Sequence, residues 1–343
     1  MKTHANIPIF IPHLGCPNQC VFCNQRHISG VSFFDPTTVD REIATALATI
    51  PEGVEVEIAF FGGSFTGIDR GLMIELLEIA NKYIQNGSVC SIRCSTRPDY
   101  INSEILDILW RYGVRTIELG LQSSSESVLL SCKRGHGFSH EETACRMIVE
   151  AGFSLVGQMM IGLPGSTHES ELETARFIIR MGAAAARIYP TVVFKDTELC
   201  DMARSGDYQP LRLEDAVSRS AAVLDLFNDA GVEVIRIGLC ASENLANENT
   251  YYAGPNHPAL GELVISRLFY RRMKKALAAK NCKGRVAVFG ISTGSTSKAV
   301  GQKKENKIRL ICEFGLADIR FVESDALEKY ELKLQFEGDT ECI

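Results

Sequence analysis

Residues 7–25 read IPIFIPHLGCPNQCVFCNQ. A short apolar run with strand character passes into a loop carrying Cys16, Cys20 and Cys23 in the spacing C-x-x-x-C-x-x-C. Three thiolates on one loop can converge on a single inorganic centre. Thiolates are the usual ligands of iron–sulfur clusters, and a cluster held by only three of them keeps one iron with an open site. The competing readings are a zinc site or three core cysteines. Zinc closes with four ligands, commonly in two separated pairs, and no fourth Cys or His lies at such spacing nearby. The other nine cysteines (Cys90, Cys94, Cys132, Cys145, Cys200, Cys240, Cys282, Cys312 and Cys342) show no ligand spacing and read as small buried hydrophobes.

The composition fits an enzyme of the cytoplasm. The 343 residues are 45% hydrophobic and 23% charged, with a net charge of −6, enough for one large domain and a small appendage. No run of about eighteen apolar residues is present, so no membrane span is expected. The opening MKTHANIPIFIPHL has one Lys and an apolar stretch broken by Pro8 and Pro12, unlike a signal peptide. Twelve cysteines in such a chain suggest reduced thiols and a metal site.

Outward from the cysteine loop, apolar β-rich runs alternate with helical periods. Strands are expected at IPIFIP (from Ile7), VEIAFFG (from Val56), SIRCST (from Ser91), TIELGLQS (from Thr116), SLVGQMMIGLP (from Ser154) and ARIYPTVVF (from Ala186), with EVIRIGL (from Glu233) as a seventh. Segments such as GLMIELLEIANKYI and SEILDILWRYG lie between them with helical spacing. Near-continuous apolar strands alternating with helices predict an α/β fold whose parallel sheet is covered by helices. Six such units fit a partial (β/α)6, TIM-like barrel. Parallel barrels build their sites at strand C-terminal ends. The unusual residues fall there: the cysteines, then GGSFTG, STRP, QSS, GLPG and YPT.

The cysteine spacing resembles that of the radical S-adenosylmethionine (SAM) superfamily, in which an open cluster iron chelates SAM and one electron cleaves it to a 5′-deoxyadenosyl radical. The resemblance implies a 4Fe-4S cluster and SAM as cofactors, with Cys16, Cys20 and Cys23 as metal ligands. Phe22 matches the aromatic whose neighbourhood cradles adenine. Gly62 and Gly63 match a turn whose carbonyls meet the SAM amino group, with Ser64 where the superfamily usually has an acid. Gln122 and Ser123 match a polar pair that meets ribose or carboxylate, and Gly162 and Leu163 match the turn flanking adenine. Arg97 and Arg187 sit at strand ends where the SAM carboxylate or an anionic substrate needs a partner. The strings FFGGSFTG, CSTRPDYI, TIELGLQSSSESVLLSCKRGH and RIYPTVVFKDTEL together resemble the core of the catalytic subunit of Elongator, which attaches a carboxymethyl-derived group to carbon five of the wobble uridine in tRNA. That likeness covers about residues 7–240 and implies Lys133, His136 and Tyr189 as catalytic candidates near the substrate cavity. The compact cysteine spacing and the length of the chain differ from the Elongator subunit, so a short, bacterial-type relative without the acetyltransferase domain is expected.

Residues 241–280 read as a connecting helical segment in which His257, between two prolines, is a candidate ligand or base. Residues 281–343 read as a small α+β domain. There, VAVFGISTGSTSKAVGQKKENKIRLICEFGLADIRFV resembles a KH module, whose GXXG loop clamps about four nucleotides. Lys304 replaces the second Gly. From Arg267 to Arg309 thirteen residues are basic and only Glu305 is acidic, a local reversal of an acidic chain and the footprint of nucleic-acid binding. Lys298, Gly301, Lys303, Lys304 and Lys307 are the candidate RNA contacts.

The leading expectation is a radical SAM enzyme that modifies RNA, with tRNA as the partner and an external electron donor such as flavodoxin or ferredoxin. Two alternatives stand beside it. One is radical chemistry on a small molecule, as in the oxygen-independent coproporphyrinogen oxidase relatives; the other is a non-catalytic iron–sulfur protein that binds RNA.

Overall fold

The computed structural model describes residues 4–11, 14–16, 20–24, 34–239 and 250–339. Seven strands form one parallel sheet: β1 (His4–Ile11), β2 (Glu55–Gly62), β3 (Ser91–Thr96), β4 (Val114–Gln122), β5 (Ser154–Ile161), β6 (Ala185–Pro190) and β8 (Glu233–Ile237). They lie in chain order, and β1 and β8 occupy opposite edges, so the barrel is partial. The expected six strands are present and the seventh extends the same sheet. One expected strand is broken. The run from Ala186 to Phe194 leaves the sheet at Pro190, which has no N–H to continue the ladder. Val193–Phe194 (β7) pairs instead with Tyr251–Ala253 (β9) in an antiparallel ribbon.

The covering helices are α1 (Val39–Leu47), α2 (Arg70–Gln85), α3 (Ser103–Arg111), α4 (Glu126–Ser131), α5 (Phe138–Glu150), α6 (His168–Arg180), α7 (Glu198–Ser205) and α8 (Leu213–Asp229). Their starts follow the sequence: Asp69, Asn102, Thr167 and Thr197 each accept a backbone N–H of the first turn. The strands alternate. Ile7, Ile9 and Ile11 of β1, Ile58 and Phe60 of β2, and Ile117, Leu119 and Leu121 of β4 are buried in one apolar cluster with Leu76, Leu77 and Leu109 of the helices. The opposite face is polar, unlike the near-continuous apolar strands expected. Its centre is Glu118, fully buried, which accepts from Arg93 (3.1 Å), Gln158 (3.0 Å) and both Nε and Nη2 of Arg187 (2.7 and 2.8 Å).

After β9, α9 (Leu260–Ala278) leads to a three-stranded sheet. Its central strand β10 (Val286–Ser292) runs parallel to β11 (Asp318–Ser324) and antiparallel to β12 (Leu332–Phe336). Between β10 and β11 lie α10 (Thr296–Val300), a 3-10 turn at Gln302–Lys304 and α11 (Glu305–Phe314), the expected strand–helix–turn–helix–strand order. Val264, Leu268 and Met273 of α9 share the apolar cluster of the barrel with Ala287, Phe289 and Leu310, so the hydrophobic core is continuous through α9. His257 closes its own turn, its Nδ1 accepting the Ala259 N–H at 3.1 Å. Among the described residues no helix is long and apolar enough to cross a membrane.

Candidate active site

The cysteine loop leaves the C-terminal end of β1 and is stitched to the fold by backbone hydrogen bonds. Val21 donates to the Cys132 carbonyl at 3.2 Å and accepts from the Leu199 N–H at 2.8 Å. The Cys23 N–H turns back to the Cys20 carbonyl at 2.9 Å. Val21 and Phe22 pack with Val128, Cys132, Leu163 and Leu199. Leu163 and its preceding Gly162, expected beside adenine, thus sit against the cysteine loop. Gly162 is left-handed (φ 81°); its N–H donates to Glu171 Oε1 at 2.6 Å and its carbonyl accepts the Tyr208 hydroxyl at 2.7 Å. Burial pushes the Glu171 carboxyl up, although the Arg219 guanidinium pairs with it.

Gly62 and Gly63 meet the same loop. The Gly63 N–H donates to Ile11 and the Ser64 N–H to the Leu14 carbonyl, at 2.9 and 3.1 Å. A Cβ on Gly63 would stand 2.1 Å from the Leu14 carbonyl oxygen, and Gly62 has φ 115°. These glycines therefore admit the entry of the cysteine loop. Gly63→Ala must displace backbone, and the expected outcome is a loss of about 1–3 kcal/mol with reduced iron uptake, checked by thermal melting and iron per chain.

Several expected contacts are redirected. The Ser64 side chain is fully buried, hydrogen-bonded to Thr96 Oγ1 at 2.9 Å, and braces β2 against β3. Ser123 Oγ accepts the Ser125 N–H at 3.2 Å and caps a turn. Arg187 is committed to Glu118 rather than to a carboxylate of a ligand. Tyr189 lies beside it, its phenol pushed up by burial. Lys133 is exposed and paired with Glu198 at 2.6 Å. Gln122 ends β4 with φ 72°, and its Oε1 is buried with no hydrogen-bond partner in the described protein, a free acceptor at the strand end.

Arg97 and His136, both candidates from sequence, meet Asp99, Arg134 and Glu141 in a buried polar group behind Cys20. Arg97 is 4% exposed. It grips Asp99 with Nε and Nη2 at 2.9 Å, donates to the Arg134 carbonyl at 2.6 Å, and places Nη1 3.9 Å from Cys20 Sγ. Burial works to raise the Asp99 carboxyl, but hydrogen bonds from His136 and Arg97 hold it well below the usual range. His136 is buried between Asp99 (3.4 Å) and Glu141 (3.5 Å). Burial would lower its pKa, yet those two carboxylates raise it. Glu141, fully buried, is pushed up to about 7 by desolvation. Arg134 reaches Cys20 Sγ at 3.3 Å. Burial pushes the Cys16 thiol up, against the pull of Arg97 and Arg134. In sequence, TRPD follows β3 and KRGH follows α4, two polar strings that only the fold brings together.

Comparison with known proteins carries the assignment. The model of the radical SAM superfamily matches residues 10–178, and that of the radical SAM C-terminal domain matches residues 183–270. The chain belongs to the radical SAM superfamily. An uncharacterized protein of Methanocaldococcus jannaschii is 30% identical over 217 residues, covering 60% of this chain and 66% of its own length. A tRNA uridine(34) acetyltransferase of the same organism is 28% identical over 183 residues, covering 48% of this chain and 34% of the relative. Human Elongator complex protein 3 is 30% identical over 180 residues, covering 52% and 32%. The chain thus spans about a third to two thirds of these relatives. The structure of Elp3 from Methanocaldococcus infernus, lacking residues 1–46, shares the fold, with a TM-score of 0.63 and 22% identity over 82% of this chain and 65% of that one.

Proteins of the radical SAM superfamily bind a 4Fe-4S cluster and SAM. The residues present fit both. Three free cysteines share one loop and supply the thiol donor set, while among the described residues no three His, Cys, Asp or Glu side chains are gathered around a single point. The unpartnered Gln122 Oε1 offers a polar contact at the end of β4.

Proposed function

We propose that this radical SAM enzyme acts on RNA of the tRNA class, with the wobble uridine as its target. The observation that carries the reading is the similarity to relatives named tRNA uridine(34) acetyltransferase, over 48% and 37% of this chain. In this reading residues 1–240 form the catalytic core, 241–280 connect, and 281–343 bind RNA. Cys16, Cys20 and Cys23 hold the cluster, and Phe22, Gly62, Gly63, Gln122, Gly162 and Leu163 surround SAM. When bound, the cluster supplies an electron, drawn from an external donor, that cleaves SAM and delivers a 5′-deoxyadenosyl radical for hydrogen abstraction. The chain's own part is to orient. The turn at Gly162 is fixed by Glu171 and Tyr208, and the cysteine loop by Cys132 and Leu199.

RNA contact is assigned to the turn between α10 and α11. Lys303 and Lys304 are exposed, both in left-handed backbone (φ 51° and 64°), with one residue between them and Gly301 (φ 80°). Neither is held in an ion pair among the described residues, whereas Lys298 pairs with Glu262 and Lys307 with Asp318. The double variant Lys303→Glu/Lys304→Glu is expected to bind bulk tRNA roughly tenfold or more weakly, with a log–log salt slope shallower by about one to two. Unchanged affinity and slope in a binding titration would remove this turn from the RNA site.

One observation favours the small-molecule alternative. Much of the basic stretch is already neutralised within the fold: Arg267 pairs with Glu214, Arg272 with Asp225 and Asp229, and Lys274 with Glu313. A radical reaction indifferent to tRNA would support it.

A further inference from the structure

The turn Cys132–His136 does more than brace the cysteine loop, because it holds an unusually placed cation. Arg134 is 5% exposed, yet no carboxylate among the described residues forms an ion pair with it, and its Nε is buried without a hydrogen-bond partner. A buried guanidinium is costly unless an anion or several acceptors face it. Two groups do. The Gly120 carbonyl accepts from Nη2, and Cys20 Sγ lies 3.3 Å from Nη1. Of these, only the sulfur can carry charge.

The backbone aims the side chain there. Helix α4 ends at Cys132, Lys133 is left-handed (φ 53°), Gly135 follows at φ 77°, and the Arg134 N–H returns to the Leu129 carbonyl at 3.1 Å. A non-glycine residue in the left-handed region is sparsely populated and is held by its surroundings. Arg97 fixes the turn by donating to the Arg134 carbonyl at 2.6 Å. Arg97 also approaches the sulfur, but its charge is matched by Asp99. Beside Cys20, Arg134 is thus the guanidinium with no ion-pair partner among the described residues; the buried Glu141 carboxylate acts on it through space, without a hydrogen bond.

We propose that Arg134 is a positioning residue for the cluster: its guanidinium holds the Cys20 sulfur through an N–H···S hydrogen bond and stabilises the reduced, more negative state. The proposal rests on the reading that Cys16, Cys20 and Cys23 hold the cluster. Reduction is by one electron from an external donor, and no proton or bond change at Arg134 is involved. Hydrogen bonds and charge around cluster sulfurs are established levers on reduction potential.

The test is an anaerobic redox titration of the reconstituted full chain, following the electron paramagnetic resonance signal of the reduced cluster, with iron and sulfide counted. Wild type is compared with Arg134→Gln and Arg134→Lys. At a fixed potential the reduced-to-oxidised ratio is expected to fall about tenfold in R134Q, which is 59 mV for one electron, and to stay within about a factor of three in R134K. A fully loaded R134Q with an unchanged ratio overturns the proposal, as does an R134K that shifts as far as R134Q. If R134Q takes up no iron, uptake by R134K supports the proposal. Failure of both, with lowered melting temperatures of the apo-proteins, shows that the residue merely packs and overturns it. Wild type failing to take up a four-iron cluster sinks the cluster reading itself, and is seen before any variant is compared.

Discussion

Cys20→Ser is expected to yield a folded chain that takes up no intact cluster and releases 5′-deoxyadenosine only at the background of the assay. Cys20 is the most enclosed of the three candidate ligands, 7% exposed, with two buried guanidinium groups directed at its sulfur. A hydroxyl keeps the size of the side chain but not the thiolate that an iron–sulfur cluster requires. Cys16→Ser and Cys23→Ser are expected to behave alike, since losing any one ligand leaves two. Cys312, exposed on α11, is the control, and Cys312→Ser is expected to keep both iron and activity. Iron and sulfide analysis with anaerobic product quantification checks all four. Full cluster content in Cys20→Ser would remove that residue from the ligand set.

Glu118→Ala is expected to be the most destabilising single change in the barrel. The carboxylate is fully buried and accepts four hydrogen bonds, one from Arg93, one from Gln158 and two from Arg187, with both guanidinium groups nearly as enclosed. Removing one member of a buried ion pair leaves an uncompensated charge, at a cost of about 3–5 kcal/mol. Arg93 retains Glu57, but Arg187 loses its bidentate partner. The melting temperature should fall by about 5–15 °C for a chain of this size. Glu104→Ala, which removes the exposed partner of Arg70, should cost less than about 1 kcal/mol. Equal melting temperatures for the two variants would contradict this account of the barrel interior.

The contrast shows what a linear sequence carries. The strand ends and the cysteine loop were legible because they are local: an apolar run of fixed length, then Gly-Gly, Gly-Leu-Pro or three spaced thiols. The order of the C-terminal unit was legible for the same reason, with Gly301 marking its turn. What depends on side chains meeting across strands was not. Glu118 sits in TIELGLQ, an apolar strand by composition, and its role appears only when β3 and β6 bring Arg93 and Arg187 beside it. Arg97 and Arg187 read as free cations, yet each faces a carboxylate in the fold. Ser64 read as a ligand contact because of its position in a motif, and burial turned it inward to Thr96. The basic stretch from Arg267 overstated the free charge, since Glu214, Asp225 and Glu313, which neutralise part of it, lie outside that window.

The central claim is radical SAM chemistry directed at RNA, and one anaerobic measurement tests it most directly. The cluster is reconstituted on the full chain and reduced, and 5′-deoxyadenosine is quantified with and without bulk tRNA. Release that rises with tRNA is the predicted result. Cluster-dependent release that ignores tRNA would contradict the RNA assignment, and no release from a fully loaded, reduced enzyme in either condition would contradict the radical chemistry itself.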